Sequence, residues 1–427
     1  MKKIKLVFVI ALVIFNLSAC EEEKLNKTNN KDSLKIYMLN SKRDIQVYLE
    51  EAAKKFSKSN KDIEIEIITT KKGEKPFEKL SSMYSSGEAP TIAMLDGNEL
   101  NSFKEKAVDL TDEDWVNDAN FLESCKIDNK VIAFPFMIEG CGLIYNKKVL
   151  DKANIDPRKI DTRNKLEIAL KNIQETGNSG CVIGQMDWSL GDNYSLTYLA
   201  NKSKNINDIT KYKNKLKNGE IKISEDEDFI NMMYTFTMMK KYNKAKDDPM
   251  SADYNKCIEY IANDEVGFYF QRNFVWSDME RLNSDKENFG FIPMPISDDS
   301  LDIANSSLQV GISKFIVLDK ELSDIKKQKA AKKFLNWLVY DTEGQEILIK
   351  RAKIIMAFKN VKIEPNDPLG KGIVNFIKEE KTILYGANLV PLDHWKMIGP
   401  SYQKFLIGKN TLENVSQSIE KYWKNIN

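Results

Sequence analysis

The chain has 427 residues, 42% of them apolar and 30% charged, with 64 basic against 63 acidic side chains and a single histidine. That profile fits a folded protein of two or three domains and excludes collagen-like, disordered and polytopic membrane classes. With only His394 available, a multi-histidine metal site is excluded, and a Ser-His-Asp triad would have to use that one residue.

The N-terminus is ordered like a signal peptide. Met1 to Lys5 carry three lysines, Leu6 to Leu17 are apolar except for Asn16, and Ser18-Ala19-Cys20 follow. The apolar run falls short of the roughly 20 residues a spanning helix needs. Leu17-Ser18-Ala19-Cys20 resembles the lipobox of bacterial lipoproteins. That resemblance implies an acylated Cys20 at the mature N-terminus, anchoring the protein to the outer side of the cell membrane of a Gram-positive-type bacterium. Cleavage there leaves 408 residues with 61 basic and 63 acidic side chains, a balance that gives no reason to expect a nucleic-acid partner. Residues 20–32 are polar and read as a flexible tether. Cys125, Cys141, Cys181 and Cys257 show no Cys-x-x-Cys spacing, and both disulfides and buried thiols fit them.

The folded part opens with a strand at Leu34 to Leu39 and a helix carrying Leu49, Ala52, Ala53 and Phe56 at helical spacing. A strand in which Ile63, Ile65 and Ile67 alternate with Glu64 and Glu66 completes the unit. A second helix, with Phe77, Leu80, Met83 and Tyr84, stops near Gly87, and a strand spans Thr91 to Leu95. Further strands are expected at Lys130 to Pro135, Gly142 to Tyr145, Cys181 to Ile183, Val266 to Phe270 and Asn288 to Pro293. Helices are expected at Thr162 to Gln174, around the Met232–Met239 stripe, from Ser323 to Val339 and from Thr411 to Trp423. This alternation predicts an α/β fold with mostly parallel sheets flanked by helices, and ligands beyond the carboxyl ends of the strands. The loops Asn40-Ser41 and Asp96-Gly97-Asn98 sit at such ends.

Seven fragments in order, among them "SSGEAPTIAMLDG", "AFPFMIEGCGLIYNKKVL" and "NDEVGFYFQRNFVWSDME", resemble the family 1 extracellular solute-binding proteins. These are the sugar-binding components of bacterial ABC importers, with maltose-binding protein as the best-known member. Thr91 departs from the family, which usually has Asp after the proline. The resemblance implies a type II two-lobe binding-protein fold: residues 33–136 with 294–354 in one lobe, and 137–293 with 355–427 in the other. Crossings are then expected near Pro135 to Glu139, Pro293 to Pro295 and Lys353 to Phe358.

Sugar recognition needs aromatic faces for the C–H side of a pyranose and planar carboxylates or amides for its hydroxyls. Asp96 follows a strand end, and the resemblance also places it at the cleft. Glu139 falls where the family has a sugar-contacting carboxylate ahead of Tyr145-Asn146-Lys147. Asp187 and Trp188 fall where it places a carboxylate and aromatics. Phe274 aligns with a stacking tryptophan, Trp276 with a second one, and Trp395 matches a third by its distance from Gly408. His394 is expected to be a hydrogen-bonding neighbour. The implied function is capture of a mono- or oligosaccharide by a monomeric lipoprotein that delivers it to an ABC permease. Neither enzymatic activity nor a cofactor or metal is expected. Alternatives stay open: a polyamine or peptide cargo, delivery to a sensor kinase, or a surface-anchored glycosidase using Glu139 and Asp187 as its carboxylate pair.

Overall fold

The computed structural model describes residues 33–71, 73–282 and 284–426. The expected signal peptide, Cys20 and the tether to residue 32 lie outside them. Eleven strands are present among the described residues: β1 Leu34–Asn40, β2 Ile63–Thr69, β3 Ile92–Leu95, β4 Lys126–Ile127, β5 Lys130–Val131, β6 Phe134–Asn146, β7 Ser179–Val182, β8 Val266–Arg272, β9 Phe289–Ile292, β10 Leu308–Leu318 and β11 Thr382–Leu384. Nine form one sheet in the order β2-β1-β3-β10-β6-β8-β7, with β11 beside β10 and β9 beside β6, while β4 and β5 make a separate hairpin.

The opening unit follows the hydrophobic periods. In β2, Ile63 and Ile65 are buried and Glu64 and Glu66 exposed, and the helix Gln46–Ser59 buries Leu49, Ala52, Ala53 and Phe56. β1 pairs in parallel with both β2 and β3. At the far end, β7 pairs in parallel with β8, and β11 with β10. The centre differs: β10 is antiparallel to β3 and β6, and β6 is antiparallel to β8 and β9. The sheet is therefore mixed where alternation predicted mostly parallel pairs, because β6 and β10 carry the chain between its two halves in opposite directions.

Where two short strands were expected, β6 runs unbroken for 13 residues. Its first half pairs with β10 from Phe134 to Cys141, and its second half turns to β8 and β9. Pro293 to Pro295, expected as a crossing, instead follows β9 within the second half. Met294 and Ile296 are buried with Leu143 and Phe270, so hydrophobic burial keeps this segment there and the return crossing is β10. The segment expected as a third crossing runs alongside the first half, with Ile138 N–H donating to Ile355 O (2.8 Å) and Lys359 N–H to Asp118 O (2.8 Å). The helix Pro368–Lys378 then reaches β9 and β6.

Met232, Met233, Met238 and Met239 of the helix Glu227–Lys241 pack in the core, as helical spacing indicates. Cys125, Cys141, Cys181 and Cys257 are buried free thiols.

Gly142 lets three strands converge. A Cβ there would lie 2.7 Å from Ile292 O of β9 and press on the Leu308 side chain of β10. Since one of these neighbours is backbone, Gly142→Ala is expected to overpack the junction and cost about 1–3 kcal/mol, read as a lower urea midpoint at unchanged m-value.

Candidate binding cleft

A cavity of about 350 Å³ lies between the two halves, over the strands that join them. Its lining includes Asp96, Glu139, Phe274 and Trp395, four residues that the sequence marks but that lie up to 299 positions apart.

Asp96 sits just past the carboxyl end of β3, where a parallel strand hands its chain to a loop. Its backbone N–H donates to Glu99 Oε2 (2.8 Å), and its carboxylate pairs with Lys314. Lys314 comes from a bulge in β10: Ile312 faces Ile138 and Lys314 faces Met137, leaving Ser313 as the extra residue. Bulges of this kind re-aim a side chain. Glu99, 7% exposed, has its carboxyl pushed up to about 7 by burial and by the Asp96 charge, against the Asp96 N–H bond and Lys314.

Glu139 lies on β6 opposite Gly311 of β10, where the sheet passes from one half to the other. It is 7% exposed, and its only side-chain partner among the described residues is the Tyr385 hydroxyl, donating to Oε2 at 3.5 Å. A buried carboxylate with one long hydrogen bond has acceptor capacity to spare.

The second half supplies the aromatic side. Phe274 follows β8; Tyr254 stacks beside it (6.4 Å, 21°), and Trp188 lies 6.1 Å from it, tilted. Trp395 is on the helix His394–Leu406, which packs against a π-helical turn, Ser189–Tyr194. Two glycines allow this approach: a Cβ on Gly191 would lie 2.7 Å from Trp395 Cα, and one on Gly399 would collide with Asp187 O. The π-turn carries Asp192 into the cavity wall, in keeping with the use of such turns at functional sites. Burial pushes the Asp192 carboxyl up to about 6, opposed by Arg272. His394 is buried with Nδ1 3.1 Å from Gly191 O, the geometry of a donated hydrogen bond, and burial lowers its pKa to about 4. It stays neutral at pH 7 and orients the helix against the turn.

Three marked residues are placed otherwise. Trp188 touches Phe274 without lining the cavity. Asp187 is outside the lining, with Oδ1 accepting from Trp188 N–H at 2.8 Å. Trp276 is 2% exposed and packs on Phe289 at 5.7 Å, so its ring belongs to the core. Lys42, Arg272, Lys314, Asp192 and Tyr385 line the cavity unmarked. The rule that selected Asp96 applies equally to Lys42, two residues beyond β1, and to Arg272, the last residue of β8. For Asp192 and Tyr385 there was no local signal. A more apolar cavity, of about 380 Å³ between residues 354–365 and the helix Pro368–Lys378, holds none of the marked residues.

The family model for bacterial extracellular solute-binding proteins matches residues 41–345. The chain belongs to that family. Across 98% of its length it is 22% identical to the melibiose/raffinose/stachyose-binding protein MelE of Bacillus subtilis, covering 96% of that protein. Solved structures share the fold. Apo RafE from Streptococcus pneumoniae superposes with a TM-score of 0.75 at 15% identity, covering 92% of this chain and 98% of that one. A family 1 solute-binding protein from Bifidobacterium longum subsp. infantis gives 0.71 at 19% identity, covering 92% and 100%. A Bacillus licheniformis sugar transporter in complex with stachyose gives 0.67 at 21%, covering 92% and 99%. The two-lobe α/β architecture of this family accounts for the mixed sheet and for a cleft above its joining strands.

Two measurements check this placement. Trp276→Ala should destabilise the fold by about 3–5 kcal/mol, as removal of a core aromatic does, while the folded fraction keeps wild-type ligand affinity. The raised Glu99 pKa means that the native state holds a proton the unfolded chain releases, so stability falls as pH rises from about 4.5 to 7. The drop in melting temperature from pH 5 to pH 8 should therefore be smaller in Glu99→Gln, which keeps an acceptor for the Asp96 N–H and has no charge to bury.

Proposed function

We propose that the protein captures a carbohydrate between its two lobes and delivers it to an ABC import permease, held at the outer face of the membrane by a lipid on Cys20. The observation that carries this reading is Glu139: a nearly unpartnered buried carboxylate in a cavity that also holds the Phe274 and Trp395 rings. An acceptor that shares a cavity with aromatic faces suits a pyranose, whose hydroxyls need directed partners and whose C–H face needs a flat apolar surface. The named cargoes of MelE and of the stachyose-bound neighbour make α-galactosyl oligosaccharides the first cargo to try.

We place the lobe boundaries within β6, within β10 and beyond Ile355, the segments that join the halves. Closure about these strands would bring Asp96 and Lys42 toward Phe274 and Trp395 and exclude water, and the permease would read the closed form. The protein acts as a monomer and without catalysis. In support of the latter, Asp187, the partner Glu139 would need for glycoside hydrolysis, is outside the cavity lining.

A thermal-shift screen with melibiose, raffinose, stachyose, spermidine and short peptides tests the reading. A ligand at about 100 times its dissociation constant adds about 2.7 kcal/mol, a shift of a few degrees for a chain of this size. A shift with a sugar class alone is expected, and a shift with spermidine or peptide alone would replace the cargo. Phe274→Ala and Trp395→Ala should each weaken sugar binding by at least about tenfold with little change in the melting temperature of the free protein. Glu139→Gln should weaken it less than Glu139→Ala.

A further inference from the structure

Arg272 carries more of the cavity's polar network than any residue marked in the sequence. It ends β8 directly across from Cys141 of β6. Its side chain therefore leaves the same face of the sheet as Glu139, one diagonal step along the ladder. Nε donates to Asn193 Oδ1 (2.8 Å), and Nη2 stands 3.7 Å from Asp192 Oδ2. The guanidinium lies over the Tyr385 ring at 5.0 Å, and the Tyr385 hydroxyl reaches Glu139. One edge of the planar fork is thus held by the π-turn and one face by an aromatic ring. Among the described residues, Nη1 has no hydrogen-bond partner, although Arg272 lines the cavity.

We propose that Arg272 is a specificity-determining residue of this cleft. Nη1 donates to one hydroxyl of the bound sugar while Glu139 accepts from the hydroxyl beside it, so the pair reads a vicinal diol on an uncharged saccharide. This rests on the carbohydrate reading above and adds the chemistry by which one sugar is told from another. A hydroxyl both donates and accepts, so a fixed donor beside a fixed acceptor satisfies two adjacent hydroxyls and leaves a buried polar group one partner short when either is missing, which is how polar sites reject analogues. The other charges favour an uncharged ligand. Asp96 is paired with Lys314, Asp192 faces Arg272, and Lys42 is 3.0 Å from Asp44. Because Arg272 and Glu139 stand one diagonal step apart, a carboxylate placed on Arg272 would also face Glu139, and an ammonium placed on Glu139 would also face Arg272.

The test is calorimetric titration of purified wild-type protein, R272M, R272K and E139Q. The probes are melibiose, raffinose and stachyose, the monodeoxy analogues of whichever binds, and galacturonic acid. R272M is expected to weaken the parent sugar by about 10- to 100-fold, the range for a hydrogen bond to a charged group. For one deoxy analogue, the one lacking the hydroxyl that Arg272 meets, its effect should shrink to about twofold or less. E139Q should show the same pattern with the analogue missing the adjacent hydroxyl, and galacturonic acid should bind more weakly than the neutral sugar. Equal losses for the parent and every analogue would reduce Arg272 to a structural support and overturn the proposal, as would an unchanged parent affinity or a preference for galacturonic acid. If R272M does not fold, R272K carries the same comparison, because it keeps the charge and loses the planar fork. If wild type binds none of the neutral sugars, the carbohydrate reading itself falls and the Arg272 assignment with it, a result distinct from binding that ignores the substitution.

Discussion

The antiparallel pairing of β6 with β10 is the constraint on which the rest of the molecule depends. These two strands hydrogen-bond to each other from Phe134 to Cys141 on one side and from Gln309 to Ile316 on the other, and each then continues into a different set of partners. Because the ladder is shared, the two halves are one sheet at its middle and separate layers on either side of it. A cleft above the joining strands follows from that geometry. So does the position of Glu139, which lies on β6 opposite Gly311.

Small irregularities in this framework set the cleft chemistry. The bulge at Ser313 brings Lys314 to Asp96, and the π-turn at Ser189–Tyr194 brings Asp192 and Asn193 to Arg272. Both devices break a regular repeat where a side chain must be re-aimed, a common use of such defects near sites. The opposed pairs they create cancel most of the charge in a cavity lined by three basic and three acidic side chains. Glu139 is the member left with the weakest protein contact. Asp192 within its pair and Glu99 beside the other both have their carboxyls raised by burial, the expected cost of placing carboxylates in a partly closed site.

Most regular elements were legible because local sequence carries their signal. Alternation in β2 and the helical stripe of Gln46–Ser59 each need only a few neighbouring residues. The local pattern marks only Lys130 to Pro135 and Gly142 to Tyr145 as strand, and these reach only the two ends of what folds as β6. In the fold, Gly140 and Gly142 make room for Ile373, Leu308 and β9, a need visible only once those elements are adjacent. The two prolines flanking Met294 look like a stiffened crossing, yet Met294 is held by core packing in the second half.

By itself the sequence determined the alternation of strands and helices, the family, and four residues that meet in the cleft: Asp96, Glu139, Phe274 and Trp395. Strand ends and family motifs are properties of short segments, and these four sit on such segments. Tertiary structure alone decided that Trp276 is buried against Phe289 and that Asp187 lies outside the cavity lining. It also decided that Lys42, Asp192, Arg272 and Tyr385, drawn from 344 positions of chain, share one cavity with them. The physical reason is that burial and electrostatic partnership depend on which distant segments pack together, and that is set by the β6–β10 ladder and the helix contacts around it.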